Sequence, residues 1–380
     1  MPALFWVVFV AVFLSVYGFA HFYFLRHAIP ALSSSRRVRV ALVALCVALG
    51  LSFLGGRFLE GWRICLASKA LVWVGSLWMG VVLYAFLATL VADLVRLAER
   101  RWHFLPASAT PRRIVALCSV AILAVVAAGF ANAWTPRPRT LQVPIAKRAG
   151  ALDKLTVVLA SDIHLGTIVG KQRFSRMVET INALQPDVIL LAGDIIDEDL
   201  KPVIDEDAGD TLRQLKARYG VFGITGNHEF IAGVDAAVGY LEEHGVRMLR
   251  DRTVEIAGAV VIAGRDDVSA PRFGAPERRP LPEVLRGVDP SKPVILLDHQ
   301  PKDFGPALES KVDLQISGHT HNGQLFPFFL ITRAIYELSW GLEQRAGTWF
   351  YVSCGAGTWG PPLRLAAEPE IVRLELTFQR

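Results

Sequence analysis

Five short clusters along the 380-residue chain carry the side chains best suited to chemistry. They are Ser161-Asp162-Ile163-His164, Gly193-Asp194, Gly226-Asn227-His228-Glu229, Asp298-His299 and Gly318-His319-Thr320-His321, and they hold five of the nine histidines. Carboxylate, amide and imidazole donors without a cysteine suit divalent cations such as Mn, Fe or Zn. In an extended segment residues two apart point the same way, so Asp162 with His164, and His319 with His321, can each grip one site. Two cations about 3.5–4 Å apart can clamp the attacking and leaving oxygens of a displacement at phosphorus. Any one of these histidines is as readily a hydrogen-bonded core residue. What sets them apart is that all five clusters follow the same kind of segment. The four cysteines (Cys46, Cys65, Cys118 and Cys354) are far apart, form no zinc-type pair and imply no disulfide framework.

Those preceding segments are short, apolar and rich in β-branched residues. They recur at 155–160, 188–192, 221–225, 259–263, 293–297, 314–317, 350–353 and 371–376. Helical patterns at 173–184, 210–219 and 234–244 lie between several of them. Such alternation predicts an α/β domain with much of its sheet buried. Side chains at strand ends converge on one edge of an open α/β sheet, where ligands bind. The acidic stretch 197–210 reads as a solvated loop rather than a calcium loop.

Taken in order, D-x-H, G-D, G-N-H-E, H and G-H-x-H resemble the signature of the calcineurin-like metallophosphoesterase superfamily. The stretches G-H-T-H-N-G-Q at 318–324, F-Y-V-S-C-G-A-G at 350–357 and P-P-L-R-L-A-A-E-P-E at 361–370 look like its bacterial, membrane-anchored YkuE-like branch. Asn322 and Ala356 depart from that branch's usual wording. The resemblance implies an α/β fold, a metallophosphoesterase β-sandwich flanked by helices. It implies that Asp162, His164 and His321 bind one cation, that Asn227, His299 and His319 bind a second, and that Asp194 bridges both. Two divalent ions (Mn, Fe or Zn, with Mn favoured) would activate water to cleave a phosphodiester or pyrophosphate. His228 would be catalytic without binding metal, acting on the transition state or the leaving oxygen, and Asn227 and His228 would touch the substrate.

Composition points to a second environment. The chain is 52% hydrophobic and only 20% charged, against about 25% charged in soluble domains, and its mean hydropathy is +0.38. Residues 1–25, 40–56, 70–92 and 114–136 contain no Asp, Glu, Lys or Arg. About 20 apolar residues span a bilayer, so these runs predict a four-helix transmembrane region over 1–136, with spans near 3–25, 39–56, 70–92 and 114–135. Residues 137–150 would form a linker and first strand, and 151–380 the catalytic domain. The basic pI arises between the spans and not in the soluble part, which excludes a nucleic-acid partner. Loops one and three carry nine basic residues and loop two carries three. Basic loops stay in the cytoplasm. The chain is therefore expected to be a multi-pass protein of the inner membrane, with its catalytic domain on the periplasmic side. Arg137, Arg139, Lys147 and Arg148, just past the last span, oppose this bias.

The substrate class that follows is a phosphoester at or near the bilayer, including lipid-linked ones. Protein partners are not legible. Two rival functions stand beside the hydrolase: a membrane sensor or transport-associated protein with an accessory phosphoesterase domain, and a non-catalytic binding scaffold. Asp266 and Asp267 read as loop caps, and Arg265, Arg272, Arg278 and Arg279 as a solvated loop or phosphate contacts. Glu229 is expected to order the Asn227 loop. The run Leu-Phe-Pro-Phe-Phe-Leu-Ile at 325–331 reads as either a core strand or a membrane-facing lip.

Overall fold

The computed structural model describes residues 2–104, 106 and 109–379, the side chains at 2–6 and 9 excepted. The chain divides into two compact units, residues 1–131 with 360–363, and 132–359 with 364–380.

The first unit is built of helices α1 (Pro2–Leu32), α2 (Arg36–Trp62), α3 (Leu66–Trp102) and α4 (Pro111–Trp134). Among the described residues three helices, α2, α3 and α4, are long and apolar enough to cross a membrane, rather than the four expected. The first expected span falls on α1, where the side chains at 3–6 and 9 lie outside those described. Inside a bilayer the backbone can satisfy itself only as helix or closed barrel, and helices there approach through small residues. A side chain at Gly75 of α3 would collide with the backbone of Phe53 in α2, so these two helices meet backbone to backbone. Trp78 donates to His21 across 3.0 Å, which places His21 within the bundle.

The second unit holds twelve strands: β1 (Arg137–Ile145), β2 (Lys154–Ala160), β3 (Val188–Leu191), β4 (Val221–Gly223), β5 (Arg247–Met248), β6 (Arg252–Ile256), β7 (Val260–Gly264), β8 (Val294–Leu297), β9 (Leu314–Ser317), β10 (Gly341–Arg345), β11 (Thr348–Val352) and β12 (Glu370–Phe378). They form two six-stranded sheets, ordered β1-β12-β2-β3-β4-β5 and β10-β11-β9-β8-β7-β6. In the first sheet β2, β3, β4 and β5 run parallel; in the second β7, β8, β9 and β11 do. The repeated sequence Val-Ile-Leu-Leu forms β3 and β8, and every residue of both is buried. Strands covered on both faces read as continuous apolar runs, not alternations. One apolar cluster unites Val157, Leu159 and Leu190 of the first sheet with Ile262, Ile295 and Ile316 of the second.

All eight predicted strand segments are strands. β5, β6 and β10 are additional, being too short, too polar or too exposed to show as apolar runs. The proline-marked exit begins as β1, an edge strand in parallel register with β12, where the missing proline donors cost nothing. Helix α5 (Lys171–Ala183) and the helix Val234–Glu243 match their patterns. The pattern at 210–219 yields only the turn Gly209–Leu212. The run at 325–331 is no strand: it leads into the helix Phe329–Ile335, in which no residue is buried.

Candidate metal centre

Each cluster sits where a parallel strand ends. Asp162 and His164 follow β2, Asp194 follows β3, Asn227 and His228 follow β4, His299 follows β8, and His319 and His321 follow β9. Two sheets therefore contribute to one place. Asp162, His164, Asp194, His319 and His321 all have positive φ, between 47° and 70°. L-residues reach that region at a cost of roughly 1–3 kcal/mol each, and such strain clusters at functional sites. Gly226 and Gly318 are required for the approach: a Cβ on either would strike the carboxylate of Asp194 or Asp162, respectively.

Three groups of donor atoms lie within 4.8 Å of one another: Asp162, His164 and His321; His164, Asp194 and His228; and Asp194, His299 and His319. His164 Nε2 lies 3.0 Å from His321 Nε2, and His299 Nε2 lies 3.0 Å from Asp194 Oδ2. His299 Nδ1 is 2.7 Å from the carbonyl of Ala192, to which it donates, leaving the Nε2 lone pair for a cation. Asp162 Oδ2 and Asn227 Oδ1 are buried with no hydrogen-bond partner among the described residues. Buried lone pairs turned toward one another demand a positive charge, and this oxygen and imidazole set fits divalent first-row metals. The residues present therefore fit two divalent ions.

The electrostatics divide the donors: burial opposes protonation of His299, but Asp194 outweighs it and holds the ring well above its ordinary value. Burial pushes the Asp162 carboxyl up. For Asp194 burial acts the same way, but His299 and His228 outweigh it and hold the carboxyl well below its usual range. Burial, with help from His299, lowers His319 to about 3. Burial and then Arg364 hold His321 well below its ordinary value. Both imidazoles are thus neutral, the form that binds metal. His228 differs. Burial opposes its protonation, but the charge of Asp194 and the bond to Asp197 prevail and raise it to about 9.

Asp197 is the functional residue that sequence reasoning passed over. It opens the acidic stretch read as a solvated loop, yet it is 5% exposed. Its Oδ1 lies 3.2 Å from His228 Nδ1 and 3.5 Å from His164 Nδ1. The available signal was the apolar pair Ile195-Ile196, which keeps the chain inside for three residues past Asp194. Glu229 accepts from the backbone nitrogens of Asp194, Ile195, Ile196 and Gly226, so one carboxylate holds two clusters in register.

The remaining candidates are structural. Asp266 takes a forked bond from Arg250. Asp267 caps its loop through Ser269 and also accepts from Gln300. Arg265 and Arg278 both pair with Asp298, and the Arg279 guanidinium donates to the Asp251 carbonyl, so these three are engaged within the domain. Arg272 is exposed, in the turn Ala270–Phe273. Arg364 of the P-P-L-R-L stretch is fully buried. It donates to the carbonyls of Cys354 and Gly357 and lies 3.0 Å from His321 Nδ1.

The family model for calcineurin-like phosphoesterases matches residues 155–323. An uncharacterized metallophosphoesterase of Helicobacter pylori is 36% identical over 63% of this chain and 64% of its own length. A transmembrane protein with metallophosphoesterase domain from Danio rerio is 33% identical over 69% of this chain and 62% of its own. The chain thus spans less than two thirds of either relative. The uncharacterized metallophosphoesterase YkuE of Bacillus subtilis is 32% identical over 58% of this chain and 78% of its own. With buried oxygen and imidazole donors at five strand ends and these relatives beside them, the chain belongs to the calcineurin-like metallophosphoesterases.

Proposed function

We propose that the chain is a membrane-anchored phosphohydrolase working with two divalent ions. In this reading residues 1–136 are the membrane region, 137–150 the linker and first strand, and 151–380 the catalytic domain, its two sheets the layers of a β-sandwich. The observation that carries the reading is the convergence of buried donors from strand ends of two separate sheets. Asp162, His164 and His321 would hold one ion, Asn227, His299 and His319 the other, and Asp194 would serve both. When bound, two such ions supply Lewis acidity and lower the pKa of water; manganese suits the donor set.

The rest falls to the chain's own residues. Asp197 beside His228 Nδ1 orients the ring and, together with the charge of Asp194, keeps it protonated. His228 Nε2 then stabilises developing negative charge or protonates the leaving oxygen, and Asn227 and His228 position the phosphate. The domain lies on the periplasmic side of the inner membrane, and the substrate is a phosphodiester or pyrophosphate, with lipid-linked ones included. Elemental analysis of active protein should find two ions per chain. Asp194→Asn, which removes the charge both ions share, should lose both ions and turnover on a panel of soluble and lipid phosphoesters supplied with Mn. At most one ion in fully active protein would overturn the reading.

A sensor or transport-associated role is favoured by one observation in the first unit. Asp93 meets Tyr23 at 2.7 Å, Arg96 at 3.1 Å and His27 at 3.2 Å. Of these, His27 and Arg96 also line a largely apolar cavity of about 330 Å³ between the helices. Asp93→Asn would alter phosphoester turnover in the full chain only if these helices regulate it.

A further inference from the structure

The segment after the last donor cluster is apolar, exposed and fastened to it. Phe326 is 53% exposed, Leu330 58%, Ile331 54% and Ile335 67%. Both ends of the segment are clamped to the His319–His321 loop. Gly323 packs so tightly on the backbone of Phe328 and Phe329 that it has no room for a side chain. Thr320 Oγ1 donates to the carbonyl of Ser339 at 2.6 Å. Gln324 bonds both backbone groups of Trp359, itself 47% exposed and 6.0 Å from the His228 ring. Tyr336 lies 6.2 Å from the His319 ring. The exposed apolar residues thus form a rigid rim beside the metal centre. The core does not use them, and a soluble domain rarely shows such a group without a partner for it.

We propose that this rim is a membrane-docking surface that settles at the headgroup level of an anionic bilayer and holds the metal centre against phosphates lying there. Three observations select lipid as the occupant. Only Thr135 and Pro136 separate the apolar helix α4 from β1, so the domain is tethered at a bilayer wherever α4 spans one. The residues are Phe, Leu, Ile and Trp, the side chains that amphipathic segments place at the headgroup and acyl boundary. The exposed charges match as well: among the described residues no carboxylate pairs with Arg333, which stacks on Phe329 at 5.2 Å, while Glu337 is paired with Arg345. The docking stands without the phosphoesterase reading; the presentation of phosphates rests on it.

The test uses the full chain in nanodiscs of phosphatidylglycerol and phosphatidylethanolamine, with the native cysteines replaced. A nitroxide is placed at Ile331→Cys, and a control at Glu179→Cys on α5, an exposed position outside the rim. The label at 331 should be reached by oxygen and shielded from a polar relaxation agent, and the label at 179 should show the reverse. Equal access of the polar agent to both would overturn the docking. So would equal shielding at 331 in lipid-free amphipol, which would mean that protein covers the rim. In parallel, the double variant Leu330→Glu/Ile331→Glu should lose about tenfold or more of kcat/KM on a phospholipid phosphoester in nanodiscs while bis(p-nitrophenyl) phosphate turnover stays within about twofold. Unchanged lipid turnover would overturn the presentation of substrate. An unsubstituted protein that hydrolyses neither compound would remove the phosphoesterase reading, and the nitroxide depths would still decide the docking.

Discussion

His228 and Asp194 are neighbours with different work. Asp194 is a carboxylate kept charged among imidazoles, whereas His228 is an imidazole kept charged by carboxylates. His228→Gln keeps a hydrogen-bonding side chain near Asp197 but cannot carry the proton. It should lower kcat on the order of 10²-fold with metal content unchanged. Atomic absorption beside the rate measurement checks this, and loss of metal together with rate would make His228 a ligand. Arg364 acts at one remove. Fully buried, it satisfies the carbonyls of Cys354 and Gly357 with its donors and lies beside His321. Arg364→Met leaves those acceptors unpaired in the interior, a loss on the order of 3 kcal/mol. The melting temperature should fall, and titration with Mn should show the two ions no longer equivalent, the one nearer His321 binding more weakly.

The elements matter because they end together. Parallel strands from two sheets end around one site, and the turns after β2, β3 and β9 pass through left-handed backbone at Asp162, His164, Asp194, His319 and His321. Gly226 shows how little slack the turns have. Gly226→Ala drives a methyl into Asp194, and overpacking of this kind costs about 1–3 kcal/mol. The variant should melt lower and hold less metal, since Asp194 is the group displaced; differential scanning calorimetry and elemental analysis measure both. Retained metal with a lowered melting temperature would mean that the backbone moves and the carboxylate stays. Beneath the turns, Leu190 of β3 lies in the cluster that joins the sheets. Its replacement by Ala should cost about 2–5 kcal/mol, with metal content in the folded fraction intact.

For the whole molecule the decisive quantity is sidedness. In the proposed four-span topology, nine basic residues in the first and third loops against three in the second would put the N-terminus and the β-rich unit outside the cytoplasm. A phosphatase reporter fused after Arg380 should be active and a fluorescent protein that folds only in the cytoplasm should be dark. The opposite pattern would put the metal centre inside the cell, in reach of its cytosolic metal pools, with Cys354 in a reducing compartment.

The primary structure by itself determined the donors, the strands that carry them and the apolar helices. All of these are local patterns: a spacing of two, a run of β-branched residues, a stretch without charge. The pairing of Asp162 with His164 was legible as well, but His319 and His321 part between two donor groups, because both stand in left-handed turns past the strand end and not in extended chain. Other features needed the tertiary structure. Asp197 looked like the first residue of a solvated acidic loop, and only its burial against His164 and His228 revealed its place. Arg265 and Arg278 looked free until Asp298 was found between them. The run at 325–331 had the composition of a core strand, and its exposure follows from being clamped at both ends to the His319–His321 loop, which leaves it no sheet edge to join. In each case the deciding partner is distant in the chain or the deciding quantity is access to water, and a one-dimensional pattern carries neither.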